Sequence, residues 1–389
     1  MRQALAITLM NLQTLPARWG VSAVVVVCMA GVAGVMVSML AMAQGFQNTF
    51  ERSGRADRVV VLATGETSEG ASSITRDQLP LILNAPGLAR RADGKPAASV
   101  ERFTIAPMPL RGAEANLIVR GVSEQVQAVR PEVRIVEGRM FRSGLRELVV
   151  GVGAQRQFDA LPLGAEVELS GVAWTVVGVF ESGGGSLESE AWGEVEVVMN
   201  AYHQVAYSSV TARLESEASF GAYRDAITGN PGLNHTPQHE TEYFEAQGGI
   251  LAALMRGVGY AVAAIMAMGA LFAALNTMYA SVEARAVEIG TLRALGFGGA
   301  PVVVSVLVES VLLCGAGSLL GGAMAWLLFN GYTVSTLGGN FNQVAFAFSV
   351  TAPMLLRGVV WASMIGLLGG FTPALRAARM PVVDALRAA

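Results

Sequence analysis

Lysine is almost missing from this chain. Lys95 is the only one in 389 residues, and arginine supplies the other 26 cationic side chains. A phosphate-binding P-loop requires G-x-x-x-x-G-K-[ST], and Lys95 stands in DGKPA without that frame. The chain is therefore expected to carry no P-loop ATPase of its own. Cysteine is nearly as scarce. Cys28 and Cys314 each lie inside an apolar run, so neither can staple a polar domain or report a redox compartment. With three histidines, they assemble no Ser-His-Asp or Cys-His set. Charge is also thin, at 15% of residues against about 25% in a typical soluble domain. The net charge of −3 offers no basic face to nucleic acid.

What charge there is lies in one place. Of 30 acidic residues, 26 fall between Glu51 and Glu245, and only Glu283, Glu288, Glu309 and Asp384 follow. A polar block of roughly 200 residues is enclosed by apolar ends, long enough for one or two folded cores. Crossing about 30 Å of hydrocarbon takes about 20 helical residues. Four runs qualify: Val21–Ala43, Gly257–Tyr279, Val302–Leu328 and Pro353–Leu375. Ala41-Met42-Ala43 resembles a signal cleavage site. The first run is longer than a signal peptide's apolar region, however, so an uncleaved anchor is expected.

Four spans put both termini on one side. Arg2 and Arg18 precede the first, Arg285 and Arg293 separate the second and third, and Arg376, Arg379 and Arg387 follow the fourth. The 330–356 loop has no charge. The positive-inside rule then places both termini and the 280–296 segment in the cytoplasm. Arg52, Arg55 and Arg58 count against this, but long domains translocate largely regardless of charge. Residues 1–19 are expected to form an interfacial helix, with Leu5, Leu9 and Leu12 on one face and Pro16 ending it.

In the polar block, strands are expected at 58–62, 100–105, 117–121, 148–152, 166–169, 174–180 and 205–214. Helices are expected at 216–228 and from Ser73 or Thr75 to Leu83. Helical stalks at 46–55 and 242–255 connect the block to the spans. The parse is an α/β lobe interrupted by a β-rich lobe at about 131–199. Ser182–Ser186 (SGGGS) is a poor phosphate cradle, since no helix with a lysine follows. His235 and His239 have zinc-like spacing on a helix, but Pro237 between them breaks a helix. They are expected to be solvated loop residues. Nothing in the block suggests an active site.

The segment ASVEARAVEIGTLRALG, residues 280–296, is a short charged helix between two apolar runs. The run before it, Gly257–Val282, is uncharged; the run after it, Pro301–Leu328, carries only Glu309. Such a helix must lie at a membrane face, open to a soluble partner. It resembles the R-x-x-E-I-G-x-L-R-A-L-G motif of FtsX/MacB-type ABC transporter permeases. Val306-Leu307-Val308-Glu309 and the glycines 315, 317, 321 and 322 resemble that family's next span. Pro373-Ala374-Leu375-Arg376-Ala377-Ala378-Arg379, then Ala385-Leu386-Arg387, resemble its C-terminal motif, with Pro381 one residue early. In the outer block the similar pieces include Val119-Arg120-Gly121-Val122, Glu137-Gly138-Arg139, Glu147-Leu148-Val149-Val150-Gly151 and Ser189-Glu190-Ala191-Trp192-Gly193.

The resemblance implies an α-helical four-span membrane protein with an α+β extracytoplasmic domain, a porter-like α/β lobe holding an inserted β-rich lobe. The implied layout is an interfacial helix (1–19), span 1 (20–43), a periplasmic core with stalks (44–249), span 2 (250–279), a coupling helix (280–298), span 3 (299–330), a short loop (331–350), span 4 (351–376) and a tail (377–389). It implies a non-catalytic permease of the bacterial inner membrane. The implied partners are a cytoplasmic ABC ATPase dimer, a second permease copy or paralogue, membrane lipids and a periplasmic adaptor; no cofactor is implied. The best-known member fuses its ATPase to the N-terminus; here about 20 residues precede the first span, so a separate ATPase chain is expected. The cargo would be a lipid, lipoprotein, peptide or small hydrophobic molecule. The alternatives are a non-transporting scaffold that activates an envelope hydrolase, or a sensor partner of a kinase.

Expected ATPase-coupling residues are Arg285, Glu288, Gly290, Arg293 and Gly296. The bland alternatives are a Glu288–Arg285 pair three residues apart and a plain C-cap at Gly296. Glu309 is expected to face the bundle, paired or protonated, because a mid-bilayer charge costs roughly 2.5–3.5 kcal/mol on insertion scales. Arg256 and Arg357, at outer span ends, are expected to snorkel to headgroups or to line a lateral entrance. Gly31, Gly34, Gly315 and Gly321 are expected packing points.

Overall fold

A computed structural model describes residues 7–11, 13, 19–110, 113–337 and 343–381. Arg2, Leu5, Leu12, Pro16, Arg18, Asp384 and Arg387 lie outside the described residues. The chain divides into two units, one of 1–44, 254–332 and 348–389, the other of 45–253 and 333–347.

The first unit is helical. Its spans belong to α1 (Trp19–Glu51), α7 (Glu240–Ala284), α9 (Gly299–Phe329) and α10 (Ala352–Arg379), with α8 (Ala286–Ala294) between α7 and α9. All four long helices are long and apolar enough to cross a membrane. Each overruns its apolar run, because helix propensity and packing continue where hydropathy stops. Val258, Ile265, Met268 and Phe272 of α7 are exposed, as suits side chains whose solvent is hydrocarbon. Residues 7–11 and 13 are helical, and Ile7 is buried with Met278, Val282 and Ile289.

Helix crossings in this unit rely on missing side chains. A Cβ at Gly321 would run into the Ala30 carbonyl oxygen, and one at Gly317 would lie 2.5 Å from that of Val26. α1 and α9 therefore meet almost backbone to backbone, the contact small residues permit in membranes. Of the four expected packing glycines, Gly34 and Gly321 lie at this crossing. Gly31 and Gly315 have open space where a Cβ would stand, so they are not packing points within this chain.

The second unit is a mixed α/β domain. Its strands are β1 (Arg58–Ala63), β2 (Ala98–Leu110), β3 (Ala113–Val122), β4 (Arg134–Gly138), β5 (Glu147–Gly151), β6 (Glu166–Leu169), β7 (Val172–Glu181), β8 (Glu190–Glu194), β9 (Ser209–Arg213) and β10 (His235–His239). They form one sheet in the order β10-β1-β9-β2-β3-β8-β5-β7-β4, with β6 on β7. After Arg58, β1 is apolar, and it is buried on both faces. β6 (EVEL) alternates exposed and buried, the period-two signature of a strand with one wet face. The short helices are α2 (Leu79–Leu83), α3 (Val126–Val129), α4 (Val152–Gln157), α5 (Val195–Ala201) and α6 (Phe220–Thr228).

Two cores divide this sheet. One gathers Val59, Ile74, Ile82, Val210 and Tyr223; the other gathers Leu117, Leu148, Phe158, Trp174 and Ala191. The second also takes Ala106, Met108 and Ala115 from the β2–β3 hairpin, so the β-rich lobe reaches beyond 131–199. β2 explains this: Ala98–Glu101 pair with β9, and Arg102–Leu110 pair with β3, so one long strand serves both lobes.

Several local expectations are corrected. The helix ending at Leu83 starts only at Leu79, after Gln78, with proline in its first turn; neither Ser73 nor Thr75 caps it. The strand expected from Val205 begins at Ser209. His235 and His239 are not loop residues. They end an edge strand, where Pro237 is tolerated because edge strands have spare pairing positions, and His235 is buried with Nε2 3.3 Å from the Ser73 carbonyl oxygen. The α9–α10 loop folds into a hairpin, β11 (Thr333–Leu337) with β12 (Gln343–Ala347). The Ala345 amide donates to Ser189 Oγ, and Phe346 meets Phe46 edge-on. Alternation of small and apolar residues in an uncharged loop was too short a signal for this.

Candidate functional site

α7 ends at Ala284, and Arg285 leaves helical geometry (φ −110°, ψ 12°) before α8 resumes. This break turns the Arg285 side chain inward. It is buried, and its Nη1 donates to Glu309 Oε2 at 3.0 Å. Nη2 donates to the Asn11 carbonyl oxygen at 3.5 Å, and Ser281 Oγ donates to Glu309 Oε1 at 3.5 Å. Asn11 Nδ2 in turn donates to Ser305 Oγ. The charge in the third apolar run is thus answered by one from the charged helix. Buried in low dielectric, each charge would be costly without the other. The pairing of Arg285 with Glu288 weighed above does not occur.

α8 has two faces. Ala286, Ile289 and Gly290 are buried. Val287, Glu288, Thr291 and Leu295 are exposed, and Leu295 is 73% exposed. Arg293 is half-buried and donates to the Met380 carbonyl oxygen, tying α8 to the end of α10. Gly296 follows at φ +92°, the left-handed conformation that ends helices and favours glycine. Arg376 lies beside Glu283 and over the Tyr279 ring. Of the five expected coupling residues, then, Glu288 faces outward, Arg285 and Gly290 face inward, Arg293 braces the α10 terminus and Gly296 closes the helix. Arg256 is half-buried on α7, and Arg357 is exposed on α10.

The mixed domain holds a second concentration of charge, which sequence reasoning missed. Arg58, Arg120, Arg130, Glu69, Glu101, Glu190 and Glu240 are all buried. Arg120 grips Glu190 through Nε and Nη2 at 2.7 and 2.9 Å, and its Nη1 reaches Glu69 at 2.6 Å and Glu101 at 2.9 Å. Glu240 accepts from Arg58 Nε at 2.6 Å and from Arg130. Ser209, Tyr243 and Trp192 complete the set, donating to Glu69, Glu69 and Glu190.

Electrostatics distinguishes the carboxyls. Burial pushes Glu69 up, but the Arg120 charge and hydrogen bonds from Arg120 and Ser209 outweigh it and hold its pKa below the usual range. Burial raises Glu101, and Arg130 and Arg120 offset this only in part while Glu69 and Glu190 repel. Burial would lower Arg120, yet Glu190 and Glu69 hold it well above its usual value. The available signal was charge set among apolar strand residues, one in LIVRGV and two in ASVERF. Strand periodicity alone cannot tell a buried partnered charge from a solvated one.

The SGGGS loop has its own occupant. The Ser182 and Gly184 amides donate to Glu188 Oε1 at 2.7 and 2.8 Å, so the chain's own carboxylate fills the cradle.

A family model described as the MacB-like periplasmic core domain matches residues 22–230. One described as the FtsX-like permease C-terminal domain matches 260–382. The macrolide export ATP-binding/permease protein MacB 1 of Aeromonas hydrophila is 30% identical over 298 residues, covering 71% of this chain and 44% of that protein. MacB of Acinetobacter baylyi is 26% identical over 292 residues, covering 70% and 43%. The chain thus spans less than half the length of these relatives. Among solved structures, the periplasmic region of MacB from Actinobacillus actinomycetemcomitans aligns with a TM-score of 0.39 and 11% identity, covering 50% of this chain and 94% of that one. The extracellular domain of the noncanonic ABC-type transporter YknZ from Gram-positive bacteria aligns with a TM-score of 0.37 and 16% identity, covering 47% and 100%.

Proposed function

The chain belongs to the FtsX/MacB-type family of ABC transporter permeases, and on that premise we propose that it couples ATP hydrolysis by a cytoplasmic ABC ATPase to movement of its mixed α/β domain. The observation carrying this reading is α8. A short helix with an exposed face of Val287, Glu288, Thr291 and Leu295 is pinned from behind by the buried Arg285–Glu309 pair. A push on that face is delivered to α9 through the pair and to α7 through the chain. In this reading both termini and α8 are cytoplasmic, the mixed domain is extracytoplasmic, and two permease chains act together.

The chain itself supplies binding and motion, with no chemical step. The cargo is a lipid, lipoprotein, peptide or small hydrophobic molecule handled by the outer domain. The test is purification of the full chain from its native membrane in mild detergent. Co-purification of an ABC ATPase whose turnover responds to this chain supports the reading. An ATPase-free preparation with an intact fold would overturn it.

A further inference from the structure

α7 starts at Glu240, and this first residue is fully buried. Its carboxylate is held from three directions. Arg58 Nε, at the start of β1, donates to Oε2 at 2.6 Å, and the Arg55 backbone amide donates to the same oxygen at 3.1 Å. Arg130, just after α3, donates to Oε1. Glu132 holds Arg58 from its other side at 2.6 Å. Close backbone packing adds to this: a Cβ on Gly54 would lie 2.7 Å from Thr241 Cα. One turn on, the Tyr243 hydroxyl donates to Glu69 at 3.3 Å.

From Glu240 the charges continue into the sheet. Arg130 lies 3.8 Å from Glu101 on β2, Glu101 accepts from Arg120 on β3, and Arg120 grips Glu190 on β8. β8 pairs with β5 of the other lobe. A helix seated on apolar contacts alone can slide or pivot at little cost, because dispersion contacts are individually small. A buried carboxylate shared by two guanidiniums cannot, because lengthening either bond leaves an uncompensated charge out of water.

We propose that Glu240, clamped between Arg58 and Arg130, is the joint that makes the outer end of α7 and the sheet move as one body. The proposal rests on the coupling reading above. Glu240 is a positioning residue here, touching neither nucleotide nor cargo.

The test uses the full chain with its co-purified ATPase in nanodiscs, on a Cys28→Ala/Cys314→Ala background. One fluorophore pair, at Glu245 and Glu217, spans the joint. A second pair, at Thr372 and Glu217, runs from the end of α10 to the outer domain. Distances are read without nucleotide and with ATP plus vanadate. In the wild type the second pair should shift and the first should not. In Glu240→Gln the first pair should become nucleotide-dependent and the second should lose its shift, with ATP turnover retained.

Glu240→Asp keeps the charge and a foldable site but shortens the reach by one methylene. It should give the same pattern in weaker form. Removal of the exposed Arg76–Glu196 pair should leave both distances as in the wild type. If the wild-type second pair does not respond to nucleotide, the coupling reading falls and the joint with it. If that pair responds but the first pair stays fixed in folded Glu240→Gln and Glu240→Asp, the joint alone is overturned.

Discussion

Arg285 and Glu309 lie 3.0 Å apart with side chains only 5% and 4% exposed, although 24 residues and a helix reversal separate them. One opens the charged helix, and the other sits inside the next apolar helix. Neither is tenable there alone. Together they fasten the charged helix to a long apolar one.

This predicts strong coupling in a double-mutant cycle. Glu309→Leu removes the carboxylate that answers the buried Arg285 charge and should cost about 3–5 kcal/mol, as breaking buried pairs does. Arg285→Met should cost a similar amount. The double variant should recover much of the loss, because apolar replacements of both partners are often near neutral. Denaturant unfolding in detergent supplies the numbers. Single losses that simply add would show that the pair contributes little.

The outward face of α8 gives a second expectation. Glu288→Arg changes an exposed side chain outside the apolar runs, so insertion and folding should stay within about 0.5 kcal/mol of wild type. If an ATPase docks there, its co-purification and stimulated turnover should fall, since a misplaced like charge at an interface can cost several kcal/mol. Arg293→Glu is a mixed case, because it also removes the bond to Met380. The control is Glu66→Arg in the mixed α/β domain. Equal ATPase recovery from both variants would leave Glu288 without a coupling role.

The buried charges of the mixed domain predict opposite pH effects at two glutamates. Glu69 has a lowered pKa, so its stabilisation is present above the ordinary carboxylate value of about 4.3 and is lost as pH falls through the lower folded value. Glu101 has a raised pKa, so its contribution is full below that ordinary value and is lost as pH rises through the higher folded value. Glu69→Gln should therefore destabilise most at neutral pH and least in acid. Glu101→Gln should cost most in acid and be better tolerated as pH rises, because the folded site favours the protonated carboxyl that the amide resembles. Fluorescence melts of the full chain, reported by buried Trp174 and Trp192, test both. Parallel pH profiles for the two variants would contradict the assignment.

Glycine positions on α9 separate contact from composition. Gly321→Ala drives a methyl into the Ala30 carbonyl and should cost about 1–3 kcal/mol through forced backbone shifts. Gly315→Ala, with open space around its Cβ, should be neutral or gain up to about 1 kcal/mol from the helix preference for alanine. Thermal stability in one detergent ranks them. Equal melting points would mean that α1 and α9 do not depend on this close approach.

Much of this protein was legible before any coordinates. The hydropathy runs located four helices because about 20 apolar residues have few other uses. The α8 segment stood out because a charged helix between two such runs has only a membrane face to occupy. The alternating EVEL and the apolar VVVLA that follows Arg58 marked their strands by which faces they bury. What the chain could not reveal by itself was which charges meet. Glu309 needed a partner, but several arginines were available, and only the backbone break at Arg285 turns that one inward. Arg120, Glu101 and Glu240 looked like ordinary surface residues of a polar block. They are instead a buried network, because strands far apart in sequence bring opposite charges to one point, and that depends on sheet order rather than local pattern. The uncharged 330–356 loop likewise became a hairpin through tertiary contacts at Ser189 and Phe46. Local periodicity determined the elements; long-range pairing decided which side chains could leave water, since a charge can be buried only where the fold delivers its partner.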